Sequence, residues 1–139
     1  MNLSEVKTPR KASLLFAVVI LAAGMTAEAH HSINATYNLE KEVKLEGILI
    51  QFLFRNPHSF VHIEAPDENG KMQRYAVEWN GAGALTAQGV KHDVLRVGDV
   101  LIITGNPSRI PEDHRVKMIT VRRTRDGFQW GARPGEAVD

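Results

Sequence analysis

Much of the chain alternates between apolar and polar residues, and this pattern predicts β-strands. The first predicted strand, 42–54, begins with Val43 and Leu45 apolar and their neighbours charged, the period of two expected of a half-buried strand. After Gly47 the strand is apolar almost without a break. A glycine at such a change predicts a bend or bulge, beyond which both faces of the strand are covered.

Four more strands and one short helix follow, separated by turn-forming residues. The strands are predicted over 58–65, 72–79, 100–105 and 115–123, and the helix over 82–88. Asn56-Pro57 and the segment 67–70 supply turn chemistry, and Gly89 would end the helix. The sequence therefore predicts three strands, a short helix and two strands.

Alternation also predicts which side chains share a face. In the second strand Val61 and Ile63 lie on one face, and the opposite face carries His58, Phe60, His62 and Glu64. In the third strand one face carries Tyr75, Val77 and Trp79. In the fifth strand one face carries Val116, Met118 and Thr120, and the other carries Lys117, Ile119 and Val121. Trp79 is assigned to the core, with a stacking platform as the alternative. Glu78 is assigned to the surface, with a ligand or base as the alternative. The cluster Arg122, Arg123 and Arg125 is interpreted as a solvated face, with contact to an acidic partner as the alternative.

The order of elements favours an all-β fold, a five-stranded OB-like barrel with one short helix between strands 3 and 4. In that barrel a long, bent first strand serves both halves of the sheet. The alternative is a small open β-sandwich. Closure of the barrel would remove exposed sheet edges.

The N-terminal residues 1–29 have the pattern of a cleavable signal peptide. A positively charged start precedes an apolar run over 13–25, and Ala27 and Ala29 supply the small residues of a cleavage site. The run is shorter than the ~20 residues that a membrane-spanning helix needs. A retained anchor or a buried core helix is the alternative. We therefore expect a periplasmic or secreted protein with no stable membrane span after cleavage.

Downstream of the leader we expect three segments. These are an N-terminal arm over 30–40, the OB-like β domain over 41–124 and a flexible C-terminal tail over 125–139. Of the 17 Lys and Arg residues three lie in the leader, and of the 16 Asp and Glu residues two do, so the mature chain is neutral with histidine uncharged. This balance argues against nucleic acid as a partner. The lack of cysteine excludes thiol catalysis and cysteine-bound metal.

Several short motifs occur in a characteristic order. They are Ala29-His30-His31-Ser32, Asn56-Pro57-His58, Tyr75-Ala76-Val77-Glu78-Trp79, Val97-Gly98-Asp99 and Thr104-Gly105-Asn106-Pro107. In this set the chain resembles, over roughly residues 29–124, an uncharacterised family of small secreted bacterial proteins known only as a domain of unknown function. The resemblance implies an exported, OB-like β domain and brings no established activity.

The histidines are the candidate metal ligands. Cleavage after Ala29 would make His30 the first residue, so that its α-amino group and imidazole form a chelate, which His31 and one distant histidine would complete. Nitrogen-rich sites of this kind suit Cu(II). The arrangement resembles the histidine brace of some exported copper proteins in that first residue alone. Alternatively, the two histidines merely follow the cleavage site.

The distant histidine would be His58 or His114. His58 and His62 lie about 13 Å apart along an extended strand, so one ion cannot easily bind both. His58 is favoured because it lies at the strand entrance. His114 follows the loop between strands 4 and 5, which in OB barrels borders the same ligand face as the loop between strands 1 and 2. The candidate metal ligands are therefore His30, His31, His58 and His114.

The sequence contains no catalytic motif that pairs a nucleophile with a base, which lowers the expectation of an enzyme. The leading hypothesis is an exported binding module that binds copper through His30. The second is a metal-free protein-interaction or structural domain, with a periplasmic protein as its partner. The third is a copper-dependent oxidase or lyase subunit.

Overall fold

The strands and the helix lie where the alternation predicted them. The computed structural model describes residues 33–131, so the predicted leader, His30 and His31 lie outside the described residues. Within that range the elements are β1 (Val43–Leu53), β2 (Phe60–Pro66), β3 (Met72–Glu78), α1 (Ala82–Ala87), β4 (Val100–Pro107), β5 (Arg115–Arg123) and β6 (Gln129–Trp130). A 3₁₀ turn, Pro111–Asp113, precedes β5. None of the helices between residues 33 and 131 has the length and apolar character needed to cross a membrane.

The sheet closes on itself through a pairing between distant strands. Its order is β3-β2-β1-β4-β5-β6, and β3 also pairs with β5 in parallel. The first half of β1 pairs with β4 and its second half with β2. A five-stranded all-β barrel is therefore confirmed, and the long first strand contributes to both sides of it.

The bend in β1 lies beyond the glycine that was expected to cause it. The pairing with β2 shifts between Leu49 and Gln51, two positions after Gly47. Gly47 instead permits a close approach of two strands, because a Cβ there would meet the Glu64 carbonyl oxygen and lie 2.9 Å from the Ala65 Cβ. The expectation that both faces are covered beyond Gly47 is wrong at Ile48, which is 50% exposed.

The parity expected of β5 holds only for its first part. Val116 and Met118 are buried as expected, but Val121 is buried as well. The reason is an irregularity in the pairing with β4, where Thr104 pairs with Thr120 but Gly105 pairs with Met118. The extra residue on β5 exchanges the two faces.

The interior is built from the inward positions of the strands and capped by α1. Its largest fully buried side chains include Trp79, Leu49, Ile63, Leu101 and Ile103. The core position expected for Trp79 is confirmed. Leu85 of α1 is also fully buried, together with Val90 and Leu95 from the segment that leads to β4.

The segments at both ends of the barrel are ordered against it. Tyr37 is 1% exposed and forms an isolated β-bridge with Ser108, and the Thr36 carbonyl accepts a hydrogen bond from the Arg109 N–H. At the other end, β6 pairs with β5, and Trp130 packs on Trp79 with ring centroids 5.1 Å apart. The sheet thus continues past residue 124, and residues 132–139 lie outside the described residues.

Candidate functional site

A buried carboxylate lies at the end of β3. Glu78 is 7% exposed and sits between Val77 and Trp79, which are also buried. In the register of the sheet it lies opposite Phe60 of β2 and Lys117 of β5. The surface position assigned to Glu78 from the sequence is therefore wrong, because neighbouring side chains cover the carboxylate.

Four polar side chains converge on this carboxylate from separate parts of the chain. The Tyr37 hydroxyl donates a hydrogen bond of 2.6 Å to Oε2, and the Arg115 guanidinium lies 3.1 Å from the same oxygen. His58 Nδ1 lies 3.0 Å from Oε1, and Lys117 Nζ lies 3.5 Å from it. We call Tyr37, His58, Glu78, Arg115 and Lys117 the Glu78 cluster. It satisfies both carboxylate oxygens, as a buried charge requires.

The cluster keeps Glu78 ionised. Burial alone would raise the Glu78 pKa, but the hydrogen bond from Tyr37 and the positive charge of Lys117 outweigh it, so the pKa lies below its usual value. The Tyr37 pKa is raised, first by burial and then by its bond to Glu78, so its hydroxyl keeps its proton. A carboxylate of this kind is a poor general base at neutral pH, since its pKa is far from the working range.

Beside the cluster, an aromatic ring on the outer face of β2 contacts two arginines. The Arg55 and Arg115 guanidinium carbons lie 5.4 and 6.0 Å from the centroid of Phe60, within the range of cation–π interactions. The His62 ring stacks against Phe60 at 6.3 Å with an interplanar angle of 23°. We call Arg55, Phe60, His62, Arg115 and Lys117 the cationic face.

The positive charges of this surface act on His62. Its pKa is lowered, first by partial burial and then by the positive charges of Arg74 and Arg55. Arg74 itself lies opposite Glu64 in the register of β2 and β3. His62 is therefore largely uncharged at neutral pH, and arginine and lysine provide the positive charge of the face.

The loop between β1 and β2 is fixed in place by its own backbone and by the start of α1. The buried Ser59 hydroxyl donates to the Arg55 carbonyl, and the Asn56 side-chain oxygen accepts from the Gly83 N–H. A Cβ at Gly81 would lie 2.8 Å from Asn56 Oδ1, so glycine is required for this close packing. These contacts hold the segment that carries Arg55 and His58 beside β2.

The structure places the predicted metal ligands in different surroundings. His58 contacts Glu78, whereas the His114 ring contacts Tyr75, 5.3 Å between centroids, from a backbone with φ of 47°. Glu78 and Tyr75 have opposite parity on β3. Between residues 33 and 131, no three His, Asp or Glu side chains are grouped as metal ligands. Arg115 and Lys117 beside His58 would also repel a metal cation.

The arginine-rich end of β5 has a structural role. Arg123 is 7% exposed; it donates to the Val94 carbonyl and pairs with Asp99 at 3.1 Å and Asp126 at 2.8 Å. Arg125 also lies within ion-pair distance of Asp99 and Asp126. The interpretation of this cluster as a solvated face is wrong for Arg123, because its charge is used inside the fold.

Sequence reasoning missed the Glu78 cluster because its members are far apart in the chain. Tyr37 lies 41 positions from Glu78, and Lys117 lies 39 positions from it. One local signal was available, since Glu78 stands directly between two residues expected to be apolar and buried. A carboxylate there needs partners, but the pattern does not say which ones.

Residues 17–117 match a family of unknown function, DUF6152. The matched segment contains both the Glu78 cluster and the cationic face. No curated protein and no solved structure shows a significant match to the chain. The matched family has no known function, so no activity follows from the match.

Proposed function

This chain belongs to the DUF6152 family of unknown function, and we propose that it is an exported binding module that docks an acidic segment of a partner protein. The docking surface is the cationic face, and the interaction needs no metal. Export is inferred from the charged start, apolar run and Ala27–Ala29 pattern of residues 1–29.

The observation that carries the proposal is the excess of positive charge around one carboxylate. Glu78 is one negative charge beside Arg115 and Lys117, and Arg55 stands nearby on Phe60. A mature chain that is neutral as a whole thus concentrates positive charge at one place. Such a local excess favours an acidic partner through complementary electrostatics.

The location and composition of the face support the same proposal. In OB barrels the surface of strands 2 and 3, bordered by the loops 1–2 and 4–5, is the usual ligand face. Arg and aromatic residues are enriched where protein interfaces are strongest. Phe60 and His62 lie on β2, Arg55 in the loop before it, and Arg115 directly after the loop between β4 and β5.

Site-specific photocrosslinking in exporting cells tests the proposal. A photoreactive residue at His62 should give a covalent adduct whose partner peptide, read by mass spectrometry, is rich in Asp and Glu. The same residue at Lys44, exposed on β1, serves as the matched control. Arg55→Glu should abolish the His62 adduct. Adducts of equal yield at both positions, or an adduct that Arg55→Glu leaves unchanged, would contradict docking on this face.

A second candidate function, copper binding, rests on the sequence around the expected cleavage site. If the mature chain begins at His30, its amino group and imidazole form a chelate with an affinity for Cu(II), and His31 lies directly beside it. This site is separate from the Glu78 cluster. Both functions are compatible in one exported protein, but they depend on different residues.

Copper binding is tested by Cu(II) titration of two forms of the mature protein. One form begins at His30 with a free α-amino group, as verified by intact mass, and the other is the same chain with that amino group acetylated. Acetylation removes the amine from the chelate and creates no new one, so the first form should bind Cu(II) at least tenfold more tightly. Equal affinities would remove His30 as the metal ligand, and a mature mass that begins elsewhere would do the same.

A further inference from the structure

We infer that the cationic face contains an oxyanion subsite at Arg55 and Arg115, which takes a carboxylate, and that Glu78 restrains its affinity. The inference rests on the proposed function and deepens it, because it names the chemical group recognised. In this inference Glu78 does more than stabilise the fold, because it competes with the ligand for the same cations.

Arg55 carries a positive charge at the surface beside Phe60. It is exposed, its guanidinium lies over the Phe60 ring, and among the described residues no carboxylate lies within ion-pair distance of it. A guanidinium presents a planar set of N–H donors that matches a carboxylate. Phe60 thus holds a cation at the surface without neutralising it.

Glu78 has one carboxylate for several polar partners. This carboxylate serves Arg115, Lys117 and His58 together, and it also accepts the hydrogen bond of Tyr37. Arg115 directs one bond, from Nη2, to Glu78 and has further N–H donors. Arg115 therefore keeps donor capacity for a ligand, and its guanidinium carbon and that of Arg55 lie near the same ring, Phe60.

The outer surface beside Arg115 leaves space for a small ligand group at Ala76. Ala76 pairs with His62 on one side and with Arg115 on the other, so the residue between these larger side chains is small and half-buried. The barrel is closed between these strands, so a partner cannot add a strand here. An acidic side chain that reaches in from a partner is the group that this surface suits.

Hexaglutamate binding to the mature protein, measured by NMR titration, tests the inference. Arg55→Gln should weaken binding about three- to tenfold, as expected for loss of one charged contact. Glu78→Gln should strengthen it about threefold, because Arg115, Lys117 and His58 are released from their common carboxylate. Lys44→Gln, the matched control, should leave the affinity unchanged. Inorganic phosphate and sulfate, titrated separately, should bind more weakly than hexaglutamate.

The sign of the Glu78→Gln effect decides between the two roles. If Glu78 only supported the fold, the variant would bind hexaglutamate no better than the wild type, and that result would overturn the inference. If Glu78→Gln does not fold, Ala76→Glu is used in its place. A carboxylate at position 76 lies beside Arg115 and should reduce hexaglutamate binding at least tenfold. Unchanged binding by Ala76→Glu would also overturn the inference. Phosphate binding that matches or exceeds hexaglutamate binding would overturn the assignment to carboxylate.

The subsite and the proposed function can fail separately. If an acidic partner is crosslinked at His62 but neither Arg55→Gln nor Glu78→Gln changes the affinity for hexaglutamate, the subsite is wrong and the docking function is retained. If hexaglutamate binding follows both variants as expected but no partner is crosslinked at His62, the subsite stands and the function as a protein-docking module fails.

Discussion

At the residue scale, the most informative side chain is Glu78, because it is buried, ionised and shared. Burial of an ion is costly, and here the cost is offset by Tyr37, His58, Arg115 and Lys117 together. Alternation along β3 gave the correct core position for Trp79 but could not reveal these partners. They come from the arm, the loop between β1 and β2, and β5, so only the closed barrel brings them together.

Glu78 should make the protein sensitive to acid. Its folded-state pKa lies below its usual value, so its contribution is complete above the unfolded pKa of about 4.3 and is lost as pH falls through the folded pKa. We expect the urea concentration at the unfolding midpoint of the wild type to decrease when the pH is lowered below about 5. Glu78→Gln should be less stable by about 1–3 kcal/mol at pH 7 and should lose less stability on acidification. If the wild type and Glu78→Gln lost the same stability on acidification, Glu78 would not be the source of the acid sensitivity.

Arg123 and Arg125 form a matched pair for a second test at this scale. Arg123 is buried with Asp99, whereas the Arg125 side chain is 56% exposed. Arg123→Ala should lower the free energy of unfolding by about 3 kcal/mol, since it removes the buried partner of Asp99 and leaves only the exposed Arg125 beside that carboxylate. Arg125→Ala should cost less than about 1 kcal/mol. Urea unfolding measures both, and equal losses would refute a structural role specific to Arg123.

At the element scale, the sequence predicted the strands and the helix well because each carries its own pattern. The hairpin turn between β2 and β3 and the short helix that ends before Gly89 are local features. Features that depend on pairing between strands were not predicted. The irregularity that buries Val121 arises from pairing with β4, and β6 has only two residues, too few for a period.

β6 should stabilise the barrel through Trp130. This ring packs against Trp79, and its indole N–H donates to the Gln88 side chain after α1 at 2.7 Å. Trp130→Ala should therefore lower the free energy of unfolding by about 1–3 kcal/mol. The only other tryptophan is Trp79, so the fluorescence of the variant reports Trp79 alone and should shift as its surroundings open. Unchanged stability and an unshifted spectrum would show that β6 is dispensable.

At the scale of the whole molecule, the fold and the site depend on the same closure. β3 and β5 are neighbours in space because the sheet curls until they pair in parallel. That pairing places Arg115 and Lys117 beside Glu78, and the arm then covers the carboxylate with Tyr37. The order of elements was sufficient to predict the barrel. The site required the register of the closing pair, which no local pattern contains.

The close approach of β1 and β2 in this closed sheet requires Gly47. Its α-carbon faces the Glu64 carbonyl of β2 so closely that an added Cβ would meet backbone, which cannot move aside as a flexible side chain would. Gly47→Ala should therefore destabilise the barrel by about 3 kcal/mol. Because β1 pairs with both β2 and β4, the loss should be felt on both sides of the barrel.

Gly83→Ala is the matched control for this prediction. The same methyl group is added there, but on an exposed helical residue whose nearest neighbour, Asn56 Oδ1, lies at an ordinary 3.7 Å. Alanine favours a helix over glycine by about 1 kcal/mol, so this variant should be equally or more stable. In urea unfolding, the same added methyl group should therefore lower the free energy of unfolding at position 47 and leave it unchanged or raise it at position 83. If Gly47→Ala proved as stable as Gly83→Ala, the close approach of β1 and β2 would not require Gly47.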